Sequence, residues 1–461
     1  MNLHRPLGAT GLSCHPLGFG CYRIADDNPL HAGALAAYLD RGGNLIDTSA
    51  NYTDGDSETL VGKALRERPR DQVIVVTKGG YIQGRNMELA QQRQFPEVVQ
   101  YGEGIWHSIH PEFLETQVER SVERLQLDYV DVYLLHNPEY YLEEITHHRR
   151  PIAPADHEEF YRRVREAFRF LETQVERGRI RWYGVSSNNY PLAAAAPAAT
   201  SVARTLAAAE SVSMSHHFRV VQLPMNLYEP GGALEPNNNG KTVLEFCREK
   251  GLGVLANRPL NASRQNRLVR LADFLPPGEK APGAAELEAL LTPVGEQEQR
   301  LRRELGAALM EGEGIAAALR VIVPQLRSAA HWEQVAGQHV IAPIQRWLTQ
   351  SRQRFVGRAE WNQWQGGFLP LLNAALQGIH RHLSTTQQLA SDLIRGRLVE
   401  EAGYPNRGES LSRMALNVLL GLEGLSCVLV GMRRPEYVED AMGAAEIERV
   451  DSPGILRRFA V

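Results

Sequence analysis

Between residues 15 and 260, short apolar runs alternate with amphipathic stretches. The runs His15–Phe19, Asn44–Asp47, Val73–Thr77, Val130–His136, Ile180–Ser186, Arg219–Leu223 and Gly253–Ala256 are rich in Val, Ile, Leu or Tyr. None alternates cleanly with polar positions, which is the signature of strands buried on both faces. The stretches between them carry helix signals. Pro29–Arg41 stops at Gly42-Gly43, Ser57–Arg66 stops before Pro69, and Phe160–Arg177 stops at Gly178. Pro111–Leu125 opens with proline and places Leu114, Val118, Val122 and Leu125 on one stripe, while Thr242–Lys250 stops at Gly251. Such alternation predicts a parallel sheet with crossover helices.

Seven units stand in sequence and the eighth appears far downstream. Leu411–Leu422 reads as a helix, Ser426–Val430 as a strand and Pro435–Met442 as a closing helix. Eight strands with eight helices predict a (β/α)8 TIM barrel. Leu3–Pro16, with Gly8 and Gly11 at turn spacing, reads as a small hairpin before it. The stretch 276–405 reads as a long helical insertion between strand 7 and strand 8. It opens with Pro276, Pro277, Gly278, Pro282 and Gly283. Leucine and isoleucine then recur at helical spacing through 301–309, 315–326, 372–383 and 389–398. Breaks are predicted at Gly312, Gly314, Pro324, Gly366-Gly367 and Gly403. Trp332, Trp347, Trp361 and Trp364 are candidates for its core. The expected organisation is therefore a first barrel part over 1–275, an inserted helical subdomain over 276–405 and a last barrel part over 406–461. The stretch Ala193–Ala209 stands out only as alanine-rich.

Composition narrows the function classes. Of 461 residues, 43% are hydrophobic and 23% charged, a globular balance, and the net charge of −4 gives no electrostatic reason for a nucleic-acid partner. No run of eighteen apolar residues offers a membrane span, and Met1–Gly8 lacks the basic and apolar regions of a signal peptide. Cys14, Cys21, Cys247 and Cys427 are scattered, so the expectation is reduced thiols in a cytoplasmic protein. Adjacent histidines such as His147-His148 and His216-His217 point apart on regular structure, and no metal site is expected.

Four polar residues sit at or just beyond strand ends: Asp47, Tyr52 five residues on, Lys78 and His136. In a parallel barrel they converge on one rim. Hydride arriving at a carbonyl carbon leaves an alkoxide that needs a proton from a nearby group. A tyrosine supplies it if its pKa is pulled down from about 10, and a neighbouring ammonium such as Lys78 would do so. Asp47 would hold the lysine and offset its burial, and His136 would orient the carbonyl oxygen.

This set resembles the Asp-Tyr-Lys-His tetrad of the aldo-keto reductase superfamily. Leu17-Gly18-Phe19-Gly20-Cys21-Tyr22 looks like that family's first barrel strand, and residues 127–136 look like its strand four. Tyr183–Asn189 is similar to the segment whose Ser and Asn hold a nicotinamide carboxamide, here Ser186 and Asn188. Gln222 matches a glutamine that also touches it. Val428–Asp440 resembles the segment that binds the adenosine 2′-phosphate and adenine, with Gly431, Arg433, Arg434 and Asp440. The resemblance covers 1–260 and 408–445. It implies NADP as cofactor, with NAD possible, and a small carbonyl or alcohol substrate. The pattern departs where family members carry a stacking aromatic residue, for here Asn257 precedes Arg258. It departs again where Gly431 and Tyr437 replace a lysine and an arginine. Arg258, Arg433 and Arg434 are the candidate cofactor contacts there, arginine being a good phosphate clamp. Tyr22, Tyr81 and Trp106 are candidates to wall the substrate pocket, beside Tyr140-Tyr141. The alternative reading is a dinucleotide-binding sensor or regulatory subunit that uses the insertion to dock a partner. The oligomeric state is not legible.

Overall fold

The computed structural model describes residues 3–148, 150–264, 267–275, 279–309 and 314–460. Eight parallel strands close into a barrel in which each strand lies beside its predecessor. They are β1 (Leu17–Gly20), β2 (Leu45–Asp47), β3 (Ile74–Gly79), β4 (Val130–His136), β5 (Ile180–Ser186), β6 (Phe218–Pro224), β7 (Gly253–Asn257) and β8 (Cys427–Val430). β8 pairs with β7 through Leu255 and Cys427 and closes the ring on β1, Val428 lying opposite Leu17. The fold is thus the (β/α)8 barrel that the run-and-stripe pattern predicts. The register matters for chemistry. Ser186 stands level with both His136 and Gln222, and Asp47 stands level with Gly20 and Val76. The strand ends therefore form one rim.

Local signals explain where helices begin. Asn28 accepts from the Leu30 amide ahead of the helix Pro29–Asp40. Thr242 and Glu245 form a reciprocal box ahead of Val243–Lys250, which ends on Gly251 in the left-handed region. The helix predicted to begin at Phe160 begins a turn and a half earlier, at Pro154, whose ring suits a first helical position. The alanine-rich tract contributes the helix Val202–Val212, capped by Ser201, between β5 and β6.

The opposite end of the barrel is plugged by the predicted hairpin, Arg5–Pro6 against Ser13–Cys14. Leu7 and Cys14 join Leu45, Ile74, Val76, Val132, Leu134, Val220, Leu255, Cys427 and Leu429 in one buried cluster. Gly8 is required there twice over. Its φ is +55°, and a Cβ would lie 2.3 Å from the Gly253 amide nitrogen.

The long segment after β3 is structured. Tyr81–Ile82, Ile105–His107 and Val99–Gly102 form a small antiparallel sheet, with the helix Arg85–Arg93 between. Ile82, Ala90, Phe95 and Phe113 make its core, and Trp106 packs against them. The aromatic residues there divide between that core and the rim.

The chain separates into two compact units, Met1–Leu271 with Arg397–Val461, and Ala272–Gly396. The second unit thus ends before residue 405. Leu398 and Ala402 are buried within the first unit, where Arg458 donates to the Ala402 carbonyl at 2.8 Å. The second unit is helical, with Ala284–Leu305 against Ala359–Leu383 as its longest pair. Trp361, Trp364, Phe355 and Phe368 stack in its core, and Trp332 is buried too. The expected break at Gly366-Gly367 is absent. Ala359–Leu383 runs through both glycines and Pro370. Glycine costs a helix about 1 kcal/mol, and interhelical packing outweighs that here. At Gly378 a Cβ would come within 2.4 Å of Leu290, so glycine permits the close approach. The breaks and loop residues read at Pro276, Pro277, Gly278 and Gly312 lie outside the described residues. Among the described residues, no helix is long and apolar enough to cross a membrane.

Candidate active site

Lys78, near the end of β3, is fully buried. Its Nζ donates to Asp47 Oδ2 at 2.8 Å and to the Thr48 carbonyl at 2.8 Å. A buried ammonium is tolerable only when paired and hydrogen-bonded, and both conditions are met. Asp47 has a second contact: its Oδ1 accepts from Gln222 Nε2 at 2.8 Å. Burial pushes the Asp47 carboxyl above its ordinary range, and Lys78 and Gln222 pull it back. The pair is therefore a buried, nearly neutral dipole near the strand ends.

Tyr52 stands above it, with Lys78 Nζ 5.1 Å from its ring centre. Its ring meets His136 edge-on at 5.9 Å and Tyr22 at 5.3 Å. All four tetrad residues are thus together on the rim. The direction of the Tyr52 pKa differs from the sequence expectation. Burial, then Asp47, Cys21 and Tyr22, push the phenol well above its ordinary value. Burial is the largest cause, and Lys78, held by Asp47, does not offset it. Tyr52 is held in its protonated form.

His136 ends β4. Its Nδ1 contacts Ser49 Oγ at 3.0 Å, and Ser49 donates onward to Asn51 at 2.8 Å. Burial, helped by Lys78 and His107, holds the imidazole well below its ordinary pKa, so the ring is neutral near pH 7. Tyr81 lies edge-on to it at 4.6 Å and accepts from Asn137 Nδ2 at 2.7 Å. Tyr140 and His107 extend this aromatic wall. Tyr22, 58% exposed, lies at the outer lip. Of the three predicted wall residues, Tyr22 and Tyr81 contact the tetrad. Trp106 belongs to the neighbouring small core.

The residues expected to seat a nicotinamide form a second row. Ser186 donates to Gln222 Oε1 at 3.0 Å, and Asn257 Nδ2 donates to the same oxygen at 3.2 Å. Gln222 is therefore largely committed to its neighbours and links this row to Asp47. The Asn188 side-chain amide has no partner among the described residues, and Asn257 Oδ1 is buried without one. Free amide groups beside Ser186 suit a ligand carboxamide, which needs both a donor and an acceptor. Arg258, in the left-handed region, is paired with Glu229 at 3.0 Å.

Beyond β8, Gly431 is exposed and Arg433 and Arg434 make no ion pair among the described residues. The helix Pro435–Gly443 begins there, with Pro435 at its first turn and no side-chain cap. Two guanidinium groups without an ion pair among the described residues thus stand at a helix start, a chemistry that suits an anion. Asp440 is occupied elsewhere: it accepts from Ser410 Oγ at 2.7 Å and from Ser412, and pairs with Arg413 at 3.2 Å. Ser49, which sequence reading did not single out, contacts His136 and lies two residues from Asp47, within reach of a search beyond the strand ends.

The family model described as aldo/keto reductase family matches residues 16–287. Among curated proteins, the NADH-specific methylglyoxal reductase of Escherichia coli (strain K12) is 32% identical over 142 residues, covering 28% of this chain and 40% of that one. Aldo-keto reductase YhdN of Bacillus subtilis (strain 168) is 29% identical over 185 residues, covering 39% and 45%. The chain spans about half the length of the curated relatives it matches. Among solved structures, aldo-keto reductase AKR11C1 from Bacillus halodurans (holo form) has a TM-score of 0.50 at 16% identity, covering 99% of this chain and 96% of that one. That likeness concerns the fold alone. With the family model matched over more than half of its length, the chain belongs to the aldo/keto reductase family.

Proposed function

We propose that the protein is an NAD(P)-dependent oxidoreductase acting on a small carbonyl or alcohol, with Tyr52 as general acid and base. One observation carries this reading: the buried Lys78–Asp47 pair lies under a protonated Tyr52, with neutral His136 at its side. A bound nicotinamide dinucleotide supplies or accepts the hydride. The chain's own residues do the rest. Tyr52 gives its proton to the developing alkoxide, and the reverse direction returns it. As the phenolate forms, Lys78 becomes its counter-charge, so the ammonium is worth more in the transition state than before it. Asp47 keeps Lys78 in place. His136, neutral and fixed by Ser49, orients the substrate oxygen without competing for the proton. Tyr22, Tyr81 and Tyr140 exclude water from the rim.

Ser186, Asn188 and the free Asn257 Oδ1 fit the carboxamide of such a cofactor, and Gln222 ties that seat to Asp47. Arg433 and Arg434 fit a 2′-phosphate, which favours NADP over NAD. The named specificity of the Escherichia coli relative keeps NAD open.

The test has two steps. Fluorescence titration with NADPH and with NADH should give tight binding, tighter for NADPH. Tyr52→Phe should then lower turnover of a small aldehyde by roughly 10²–10⁴-fold while leaving dinucleotide affinity in place. Unchanged turnover would remove Tyr52 from the chemistry. Binding without any turnover across a panel of aldehydes and ketones would point to the sensor reading.

A further inference from the structure

Directly after His136 the chain runs Asn137-Pro138-Glu139, and it is tied to the loop after β5. The Asn137 amide donates to the Ser186 carbonyl at 2.7 Å. Glu139 Oε1 accepts from the Asn188 amide at 2.6 Å. The two bonds flank Ser186–Asn188, the segment that carries the carboxamide seat. Glu139 is completely buried, and its Oε2 has no hydrogen-bond partner at ordinary distance among the described residues, although the Ser187 side chain stands near the carboxyl. No arginine or lysine pairs with it among the described residues. A carboxyl placed so is costly, since burial disfavours its charge and an unmet oxygen adds desolvation.

We infer that Glu139 is a positioning residue for the nicotinamide seat, holding Asn188 in place through its backbone amide and coupling dinucleotide affinity to its own ionisation. This rests on the dinucleotide reading above.

Burial pushes the Glu139 carboxyl up to about 8, with Glu143 adding and the Asn188 amide opposing. The phenols around it do not share that range, while the Glu143 carboxyl is itself raised by burial. Tyr140 and Glu143 face it from its own helix, Tyr81 from the small sheet and Tyr190 from the loop after β5. The three phenols are themselves raised, so they stay neutral where Glu139 titrates. The sign follows. The native state keeps a proton that the unfolded chain has lost at neutral pH, so this group's contribution to stability is lost as pH rises through about 8. Above that pH the Asn188 N–H bond itself favours the anion, so the disturbance comes from the other oxygen, whose charge in a dry site draws in water and shifts the segment that Glu139 holds.

The experiment is a pH series of NADPH dissociation constants for the wild type, Glu139→Gln and Glu143→Gln, with a melting curve at each pH without ligand. The wild type should weaken by at least about threefold between neutral pH and about pH 9. Glu139→Gln should be flat, and its melting temperature should fall less with pH. Glu143→Gln, which removes only a neighbouring charge, should move the wild-type midpoint to lower affinity-loss pH by removing repulsion, and it keeps the inference testable should Glu139→Gln fold poorly. A wild-type profile that is flat, or that Glu139→Gln shares, overturns the inference while leaving the function standing. Absence of NADPH and NADH binding at every pH overturns the function reading, and this one with it.

Discussion

The two units bury their polar groups for different ends. The barrel unit keeps Asp47, Lys78, His136 and Glu139 out of solvent around a single rim. The helical unit Ala272–Gly396 has an apolar core of leucine, isoleucine and stacked tryptophan, with Glu298 as a buried carboxylate. Even that residue has a plain structural task, accepting from the Ile315 amide at 2.6 Å and the Ala316 amide at 3.1 Å at the start of a helix. Charge buried in the barrel is unevenly matched, as at the unmet oxygen of Glu139. In the helical unit both Glu298 oxygens are matched to amide donors. The contrast teaches where to look for chemistry: in the region whose buried polar groups are more numerous than its packing requires.

Substitutions can break this contrast. The largest effect should come from Lys78→Met, which leaves Asp47 buried without its ion partner. A loss of about 3–5 kcal/mol in unfolding free energy is expected by chemical denaturation, together with loss of turnover. A folded, active Lys78→Met protein would deny the pair its role. Next comes Trp364→Ala in the helical unit, expected to cost about 3–5 kcal/mol through cavity formation. Its readout is proteolytic cleavage within 280–395, with dinucleotide binding to the barrel retained. Loss of dinucleotide binding instead would mean that the two units do not act as separate packing problems. The smallest effect should follow Arg433→Ala with Arg434→Ala. About tenfold of any NADPH preference over NADH should disappear, roughly 1.4 kcal/mol, with NADH affinity little changed.

The barrel was legible because its signals are periodic. Apolar runs such as Val130–His136 and Ile180–Ser186 coincide with the observed strands to the residue. The tetrad was legible because each member stands in or beside a strand end, where polar residues are conspicuous. Other features leave no such trace. Glu139 follows proline in a short loop, and its partner Asn188 is distant in sequence, so only the fold brings them together. The Tyr52 shift depends chiefly on how deeply the fold buries the phenol, which spacing cannot give. Asp440 looks available in the sequence and is engaged by Ser410, Ser412 and Arg413 in space. The helix Val202–Val212 was hidden by alanine, which supplies helix propensity with little apolar contrast. Helical continuity through Gly366-Gly367 reflects packing that local propensity does not encode.

The place of β8 in the chain also governs how the molecule is made. β1 and β7 each leave an edge bare until Cys427–Val430 arrives between them. A ribosome adding about 5–20 residues per second needs on the order of ten seconds or more to cross from Asn257 to Cys427. Throughout that interval the nascent protein carries two unpaired apolar edges, the kind of surface that recruits chaperones or a neighbouring chain. Ring closure then waits for Cys427–Val430 to join β1 and β7, and the arrival of that strand, not emergence of the rim residues, sets the moment at which the site exists.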